Sequence, residues 1–262
     1  MSLKNVLRGM APLAAIALAA AASGGCDKMH VSLNGDEGKK LADLDLTGAA
    51  PSEVALLGPD TVRIAQGDKL AISVEGDPEV AGRMRFTLND GKLGIMRESG
   101  KWSDDGTVTV NVTMPAPRKL MMAGSGKMFS PSLAGDSARV TVAGSGTVET
   151  DAVATDSLKV DIAGSGSYRA AGTAKSLKIS IAGSGDARLD ALKVEDAKVD
   201  IAGSGDTAFA SDGTVRANIM GSGEVRVIGR ATCKVTSMGS GRLVCEPAAS
   251  AGAKSKGDKP KA

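Results

Sequence analysis

From about Leu44 to Met114 the chain alternates apolar and polar residues with a period of two, which predicts half-buried β-strands. Val62 with Ile64, and Met84 with Phe86, show the pattern clearly. Turn-forming residues separate these strands at Gly67-Asp68, Gly76-Asp77-Pro78, Asn89-Asp90-Gly91 and Asp104-Asp105-Gly106.

Beyond residue 118 the alternation is organised around a repeated Gly-Ser-Gly tripeptide. It occurs seven times, with spacings of 20, 20, 19, 20, 18 and 18 residues, and begins at Gly124, Gly144, Gly164, Gly183, Gly203, Gly221 and Gly239. A period near twenty residues is too short for a helical hairpin and is typical of one coil of a β-solenoid.

Two positions of each repeat are apolar in nearly every coil. Four residues before the first glycine stand Leu120, Val140, Val160, Ile179, Val199, Ala217 and Val235. Two residues before it stand Met122, Val142, Ile162, Ile181, Ile201, Ile219 and Ser237. A separation of two puts both positions on one face of a strand, so they are predicted to stack inside the solenoid. A second interior wall is predicted six residues after that glycine, at Leu189, Phe209, Val227 and Cys245.

These patterns predict an all-β protein, a right-handed parallel β-helix of about seven Gly-Ser-Gly coils preceded by a less regular β cap. The expected divisions are an export leader at 1–26, a flexible tether at 27–43, the N-terminal β region at 44–117, the solenoid repeats at 118–247 and a disordered basic tail at 248–262. A cap is expected because an uncovered solenoid end exposes an unpaired strand edge.

The Gly-Ser-Gly segments are predicted to be structural corners, since glycine reaches the positive φ angles of a sharp bend. The glycines concerned are Gly124, Gly126, Gly144, Gly146, Gly164, Gly166, Gly183, Gly185, Gly203, Gly205, Gly221, Gly223, Gly239 and Gly241. A phosphate-binding loop would need a following helix, and no helical pattern follows. A calcium solenoid would need an aspartate after each corner, but Lys127, Thr147, Ser167 and Arg242 occupy that place in four coils.

The fifth residue before each corner is basic in all seven coils. These residues are Lys119, Arg139, Lys159, Lys178, Lys198, Arg216 and Lys234, and we call them the basic ladder. Asp161 and Asp200, two residues further along, neutralise it in part. The ladder is therefore either a solvated face that resists aggregation or a linear site for an anionic polymer, such as an envelope polysaccharide or lipopolysaccharide.

Cys233 and Cys245 fall at interior positions of the last coil. In an exported chain they are expected to form a disulfide that closes the open C-terminal end. The alternative is two separate buried thiols.

Residues 1–26 are typical of an export signal, with Lys4 and Arg8 before an apolar run. Ser23-Gly24-Gly25-Cys26 resembles a lipoprotein box, although Ser23 stands where leucine is expected. We expect a lipid anchor at Cys26, in the bacterial periplasm or outer membrane; cleavage after Ala20-Ala21-Ala22 is the alternative.

Composition argues against most other functions. Without Lys4 and Arg8 the chain balances 30 basic and 30 acidic residues, so net charge indicates no nucleic-acid partner. The only histidine, His30, lies in the expected tether with no second ligand nearby, so no metal or other cofactor is predicted.

The combined motifs resemble the bacterial envelope family named putative auto-transporter adhesin, head GIN domain. The resemblance covers about 44–246 and depends on Gln66-Gly67-Asp68 leading into 70–77, on Asp90 to Ile95, on Val108 to Pro115 and on the Ile-Ala-Gly-Ser-Gly repeats. The family implies an exported β-helix and adhesion, and it carries no established catalytic residues.

The leading hypothesis is therefore a non-enzymatic envelope protein that presents a rigid solenoid surface to an envelope protein or polysaccharide. A polysaccharide-active β-helix enzyme is an alternative, but it would need paired carboxylates in a cleft. The scattered acids, such as Asp186 and Asp206, instead recur with the fold. A structural or stress-related envelope component is the third hypothesis.

Overall fold

The computed structural model describes residues 37–98 and 106–247. Cys26, His30, Trp102, the leader and the lysines of the tail lie outside these residues. The structure contains fifteen strands joined in one sheet system. They are β1 Glu53–Leu57, β2 Thr61–Gln66, β3 Ala71–Glu75, β4 Met84–Asn89, β5 Lys92–Arg97, β6 Thr109–Met114, β7 Lys119–Gly124, β8 Lys127–Gly144, β9 Thr147–Gly164, β10 Ser167–Gly183, β11 Asp186–Gly203, β12 Thr207–Gly221, β13 Glu224–Ile228, β14 Thr232–Gly239 and β15 Arg242–Glu246.

The strands from β7 onward stack in parallel and form a β-solenoid of about six turns, which confirms the predicted fold class. Seven corners bound six complete turns. Equivalent residues of successive coils pair in register, as in Val160 with Ile179 and Ile179 with Val199. The predicted interior positions are almost fully buried in every coil except the last, and they form one continuous core.

The corners require glycine at two places for two different reasons. The first glycine has a positive φ, for example +121° at Gly183, which L side chains rarely adopt. The third glycine faces the coil beneath: a Cβ on Gly185 would lie 2.5 Å from the carbonyl oxygen of Gly166. The tripeptides therefore set both the bend and the close stacking of the coils.

The N-terminal β region continues the stack. Strand β1 pairs in parallel with both β5 and β7, and β2 pairs in parallel with both β6 and β8. Gly58-Pro59-Asp60 takes the place of a Gly-Ser-Gly corner, since the N–H groups of Gly126 and Lys127 donate to its carbonyls at 3.0 Å. Two further parallel layers thus precede the first tripeptide, in an order along the stack that differs from the order along the chain.

Antiparallel strands and a short helix close this end. Strand β4 pairs with β5 through the Asp90-Gly91 turn, and β3 pairs with β6. The predicted turn after Gly76 contains a helix, α1 (Pro78–Gly82), whose N-terminus is capped by the carboxylate of Asp77. Proline at the first helical position and this cap explain why five residues suffice to form the helix.

The flexible tether predicted through Asp43 ends earlier than expected. Lys39 exchanges backbone hydrogen bonds of 2.8 and 2.7 Å with Phe86, and a 3₁₀ turn follows at Leu41–Asp43. Leu41 packs against the core cluster beside Leu44. These leucines do not follow the period-two pattern of a strand, because they lie outside any strand and cover the end of the core.

The opposite end remains open. In the last coil Val235 is 50% exposed and Ser237 is exposed, although both occupy interior positions. Strand β14 pairs only with β12, and β15 only with β13, among the described residues. Within the described part of the chain no further coil covers them, so these side chains are exposed although they occupy interior positions.

Candidate functional site: the basic face

The basic ladder is a single row on the outside of the wall that precedes the corners. Each member pairs in register with the next, from Lys119 through to Lys234. At the N-terminal end the same row continues into Glu53 and then Lys92. The backbones of successive ladder members are about 4.8 Å apart, which is the spacing between neighbouring strands. We call the surface formed by this row and the neighbouring outward row the basic face.

Carboxylates neutralise the N-terminal half of the ladder. Glu53 forms ion pairs with Lys119 and, at 4.0 Å, with Lys92. Asp161 lies 3.2 Å from Arg139 Nε, without the alignment of a hydrogen bond, and 3.4 Å from Lys159 Nζ. These contacts offset the repulsion between stacked like charges.

The C-terminal half keeps unpaired cations. Lys198 lies 3.5 Å from Asp200. Among the described residues, no carboxylate lies within ion-pair distance of Lys178, Arg216 or Lys234. In the neighbouring outward row, the coils of Lys159 and Lys198 carry aspartate. The coils of Lys178, Arg216 and Lys234 carry neutral polar residues there, namely Ser180, Asn218 and Thr236. The two rows together hold eight basic residues and three carboxylates, Glu53, Asp161 and Asp200.

A third outward row lies next to the corners and is apolar. It reads Ala123, Ala143, Ala163, Ala182 and Ala202, and it ends in Met220 and Met238. Met238 is 70% exposed. The wall therefore presents a flat surface with cations on one side, small polar groups in the middle and methyl or thioether groups on the other.

The wall after the corners also carries basic residues, but most of them have an acid partner. Arg169 pairs with Glu149 at 2.8 Å, Arg188 with Asp186 at 3.3 Å, and Arg226 with Glu224 at 3.6 Å. Arg63 instead lies over the ring of Phe129, 4.9 Å from its centroid. Unpaired positive charge in successive coils is thus a property of the basic face.

Several of the scattered acids serve the stacking of the coils. Asp186 accepts the N–H of Asp206, and Asp206 accepts the N–H of Glu224 at 2.7 Å. Asp212 accepts a hydrogen bond from the N–H of Arg230. This bond, together with the Lys193 ammonium group, holds the pKa of Asp212 below its usual range. No group of three or more His, Cys, Asp or Glu side chains in 37–98 and 106–247 is placed to hold a metal ion.

The serine N–H groups of these corners are also occupied. The N–H of Ser165, Ser184 and Ser204 donates to the first-glycine carbonyl of the preceding corner at 2.9–3.0 Å. These groups are therefore not available to a phosphate, whereas the serine side chains are exposed. The corners keep the structural role that their spacing predicts.

Cys233 and Cys245 are joined by a disulfide, with their Cα atoms 6.8 Å apart. Cys233 is half-buried against the core, but Cys245 is exposed, since up to residue 247 no coil stacks on β15. The bond links β14 to β15, which belong to the two walls of the last coil. It closes the opening between them covalently.

Residues 50–231 match the family described as putative auto-transporter adhesin, head GIN domain. The chain belongs to this family. The match includes the N-terminal layers and most of the solenoid, and it stops one residue before β14. The last coil, with Lys234, Met238 and the disulfide, thus lies outside the matched residues.

Solved structures of low sequence identity share the fold of this family member. A putative adhesin from Bacteroides fragilis is 15% identical, with a TM-score of 0.64 over 76% of this chain and 92% of that one. A putative lipid binding protein from Parabacteroides distasonis is 21% identical, with a TM-score of 0.59 over 75% and 93%. A putative adhesin from Parabacteroides merdae is 17% identical, with a TM-score of 0.55 over 77% and 93%. No curated protein matches the chain.

The sequence located the basic ladder but did not show that Glu53 belongs to the same row, nor which ladder cations have carboxylate partners. Glu53 precedes the repeats and shares no motif with them, so its place in the ladder depends on the β1–β7 pairing. The positions of Asp161 and Asp200 in the sequence predict only some of the ion pairs that the ladder cations form. The Asp161 carboxylate pairs with cations of two coils, Arg139 and Lys159, which the linear spacing does not indicate.

Proposed function

We propose that this GIN-domain protein is a non-enzymatic adhesin of the cell envelope that binds an anionic polysaccharide or lipopolysaccharide along its basic face. The observation that carries the proposal is the row of unpaired cations at Lys178, Arg216 and Lys234 on a flat, rigid wall. A polyanion has charges at regular intervals, and a solenoid presents one equivalent position per coil at a constant spacing. Lys178 and Arg216 are two coils apart, or about 10 Å.

The acids support a binding protein over an enzyme. Glycoside chemistry needs two carboxyl groups facing one bond, with room for substrate between them. Asp186, Asp206 and Asp212 are instead occupied by backbone N–H groups of the next coil.

The test is binding of the purified protein to anionic envelope polysaccharide and to lipopolysaccharide at two salt concentrations. Lys178 and Arg216, which have no carboxylate partner among the described residues, are replaced by alanine together with Lys198, which lies between them; binding should fall and lose most of its salt dependence. The matched control replaces Arg169, Arg188 and Arg226, which also stand one per coil but have carboxylate partners. Equal binding by both triple variants would contradict the proposal and favour a structural envelope component.

We further propose that the chain is exported and anchored through an acylated Cys26. Within 37–98 and 106–247 no helix is long and apolar enough to cross a bilayer. Intact-mass measurement on the protein from membranes should show a diacylglyceryl mass at Cys26, and an unmodified N-terminus would refute the anchor.

A further inference from the structure

The C-terminal end of the solenoid differs in character from the rest of the molecule. Val235 and Met238 are the exposed large hydrophobic side chains of the described residues, and both lie on β14. Lys234 is in the same strand and has no acid partner there. The opposite end is covered by Leu41 and Leu44, which pack on the core.

Positive charge is concentrated in the same part of the sequence. Residues 232–262 hold six basic and two acidic residues, a net charge of +4, whereas the other 231 residues sum to −2. Four of the six are tail lysines, Lys254, Lys256, Lys259 and Lys261. The tail starts directly after β15, so its charge is tethered to the strand pair that carries the exposed apolar side chains.

We propose that this end docks on an anionic lipid bilayer, through the exposed Val235, Met238 and Lys234 and through the basic tail that follows β15 in the chain. Stable attachment to a membrane surface generally needs two signals, such as apolar insertion and a polybasic segment, and this end has both.

The depth of docking follows from the backbone. Strands β14 and β15 each have one edge without a strand partner in the described residues. Unpaired N–H and C=O groups are costly in the hydrocarbon region but can bond to headgroups and water. The end is therefore expected to lie at headgroup level, with the Met238 side chain reaching the acyl boundary.

The disulfide fits the same arrangement. It holds β14 and β15 together at the mouth of the solenoid, so Val235 is presented on a closed end. Without it the two short strands would be joined only by the corner at Gly239 and by their pairing to the coil beneath.

The experiment uses residues 27–262, which include every described residue but lack the leader and the Cys26 anchor. Co-sedimentation is measured with vesicles of phosphatidylglycerol and phosphatidylcholine, and with phosphatidylcholine alone. We expect binding to the anionic vesicles that weakens with salt, and little binding to the neutral ones. Absence of binding to anionic vesicles would overturn the proposal.

Charge variants separate the contributions of Lys234 and of the tail lysines to vesicle binding. Lys234→Glu, and replacement of the four tail lysines by serine, should each lower vesicle binding about tenfold or more. Lys69→Glu, the same charge change at the opposite end, is the matched control and should leave binding unchanged. If Lys69→Glu weakens binding equally, the attraction is diffuse and the docking site is refuted.

A gain-of-signal variant tests the apolar contact independently. Met238→Trp should show a blue shift of its emission on anionic vesicles, whereas Ala163→Trp, in the same outward row at mid-solenoid, should not. If Met238 variants instead change self-association in sedimentation velocity and leave vesicle binding intact, the occupant is a second copy of the chain and the proposal fails. The Lys178, Lys198 and Arg216 alanine variant should lose polysaccharide binding and keep vesicle binding, which separates this proposal from the function proposed above.

Discussion

Arg97 and Asp60 form a buried bidentate ion pair. The Arg97 Nε and Nη2 atoms donate to the two Asp60 carboxylate oxygens at 2.8 and 2.6 Å, and the side chains are 4% and 0% exposed. Asp60 also accepts the N–H of Val108 at 3.0 Å, and Arg97 donates to the carbonyl of Gly106 at 2.7 Å. The pair thus joins the corner of the β1–β2 layer to the layer above it.

Breaking this pair should destabilise the protein strongly. Asp60→Ala leaves the Arg97 charge buried without its carboxylate, which typically costs about 3–5 kcal/mol. Urea unfolding followed by circular dichroism gives the free energy. As a control, Glu79→Ala removes the exposed partner of Arg83 and should cost less than about 1 kcal/mol. A loss below about 1 kcal/mol for Asp60→Ala would show that the pair is not buried.

The third glycine of a corner should tolerate no side chain. Gly185→Ala places a Cβ 2.5 Å from the Gly166 oxygen, so the coils must separate locally, at a cost of about 1–3 kcal/mol or more. Ser184→Ala, one residue earlier and exposed, should change the free energy of unfolding by less than about 0.5 kcal/mol. Equal effects of the two substitutions would contradict the stacking role of Gly185.

Tyr168, the only tyrosine of the chain, should titrate abnormally. Burial in the solenoid core raises its pKa to about 12, and the nearby Thr150 hydroxyl opposes the shift. Because the folded pKa lies above the ordinary value of 10.0, this residue's contribution to stability is complete below pH 10 and is lost as the pH rises towards 12.

The tyrosinate absorbance reports this titration directly. Its midpoint should be near 12 in the folded protein and near 10 in urea. Tyr168→Phe should show a smaller loss of stability than the wild type between these pH values, with the lysines titrating equally in both. A folded-state midpoint near 10 would mean that the ring is solvated.

Reduction of the Cys233–Cys245 disulfide should loosen the last coil alone. A mass gain of two hydrogens and modification of two thiols by iodoacetamide are expected, since Cys245 is exposed. Hydrogen exchange should accelerate in β14 and β15 and stay unchanged in β9 and β10, which are paired on both sides. If reduction leaves the mass unchanged, the bond is absent.

Much of the solenoid could be predicted from local pattern. Val160 and Ile162 are inside and Lys159 is outside because side chains alternate along any strand, whatever its partners. Glycine at each corner marks the bend for an equally local reason, its access to positive φ.

In the N-terminal region the sequence pattern does not predict the order of the strands in the stack or the burial of Arg97. Strands β1 and β5 do not alternate as predicted, because they are buried at consecutive positions on both faces. Nothing in their residues indicates that β1 lies between β5 and β7. Arg97 follows an apolar run and would be taken for a solvated residue at a strand end. Its burial depends on Asp60, which is distant in the chain.

The amino-acid sequence therefore specified the coil period, the inside and outside of each strand and the composition of the basic ladder, since these follow from backbone geometry over a few residues. The order of the first layers, the Arg97–Asp60 pair, the ladder cations left without acids and the exposure of the last coil came from the folded structure. Each of these depends on which distant segments come into contact, and on where the stack ends.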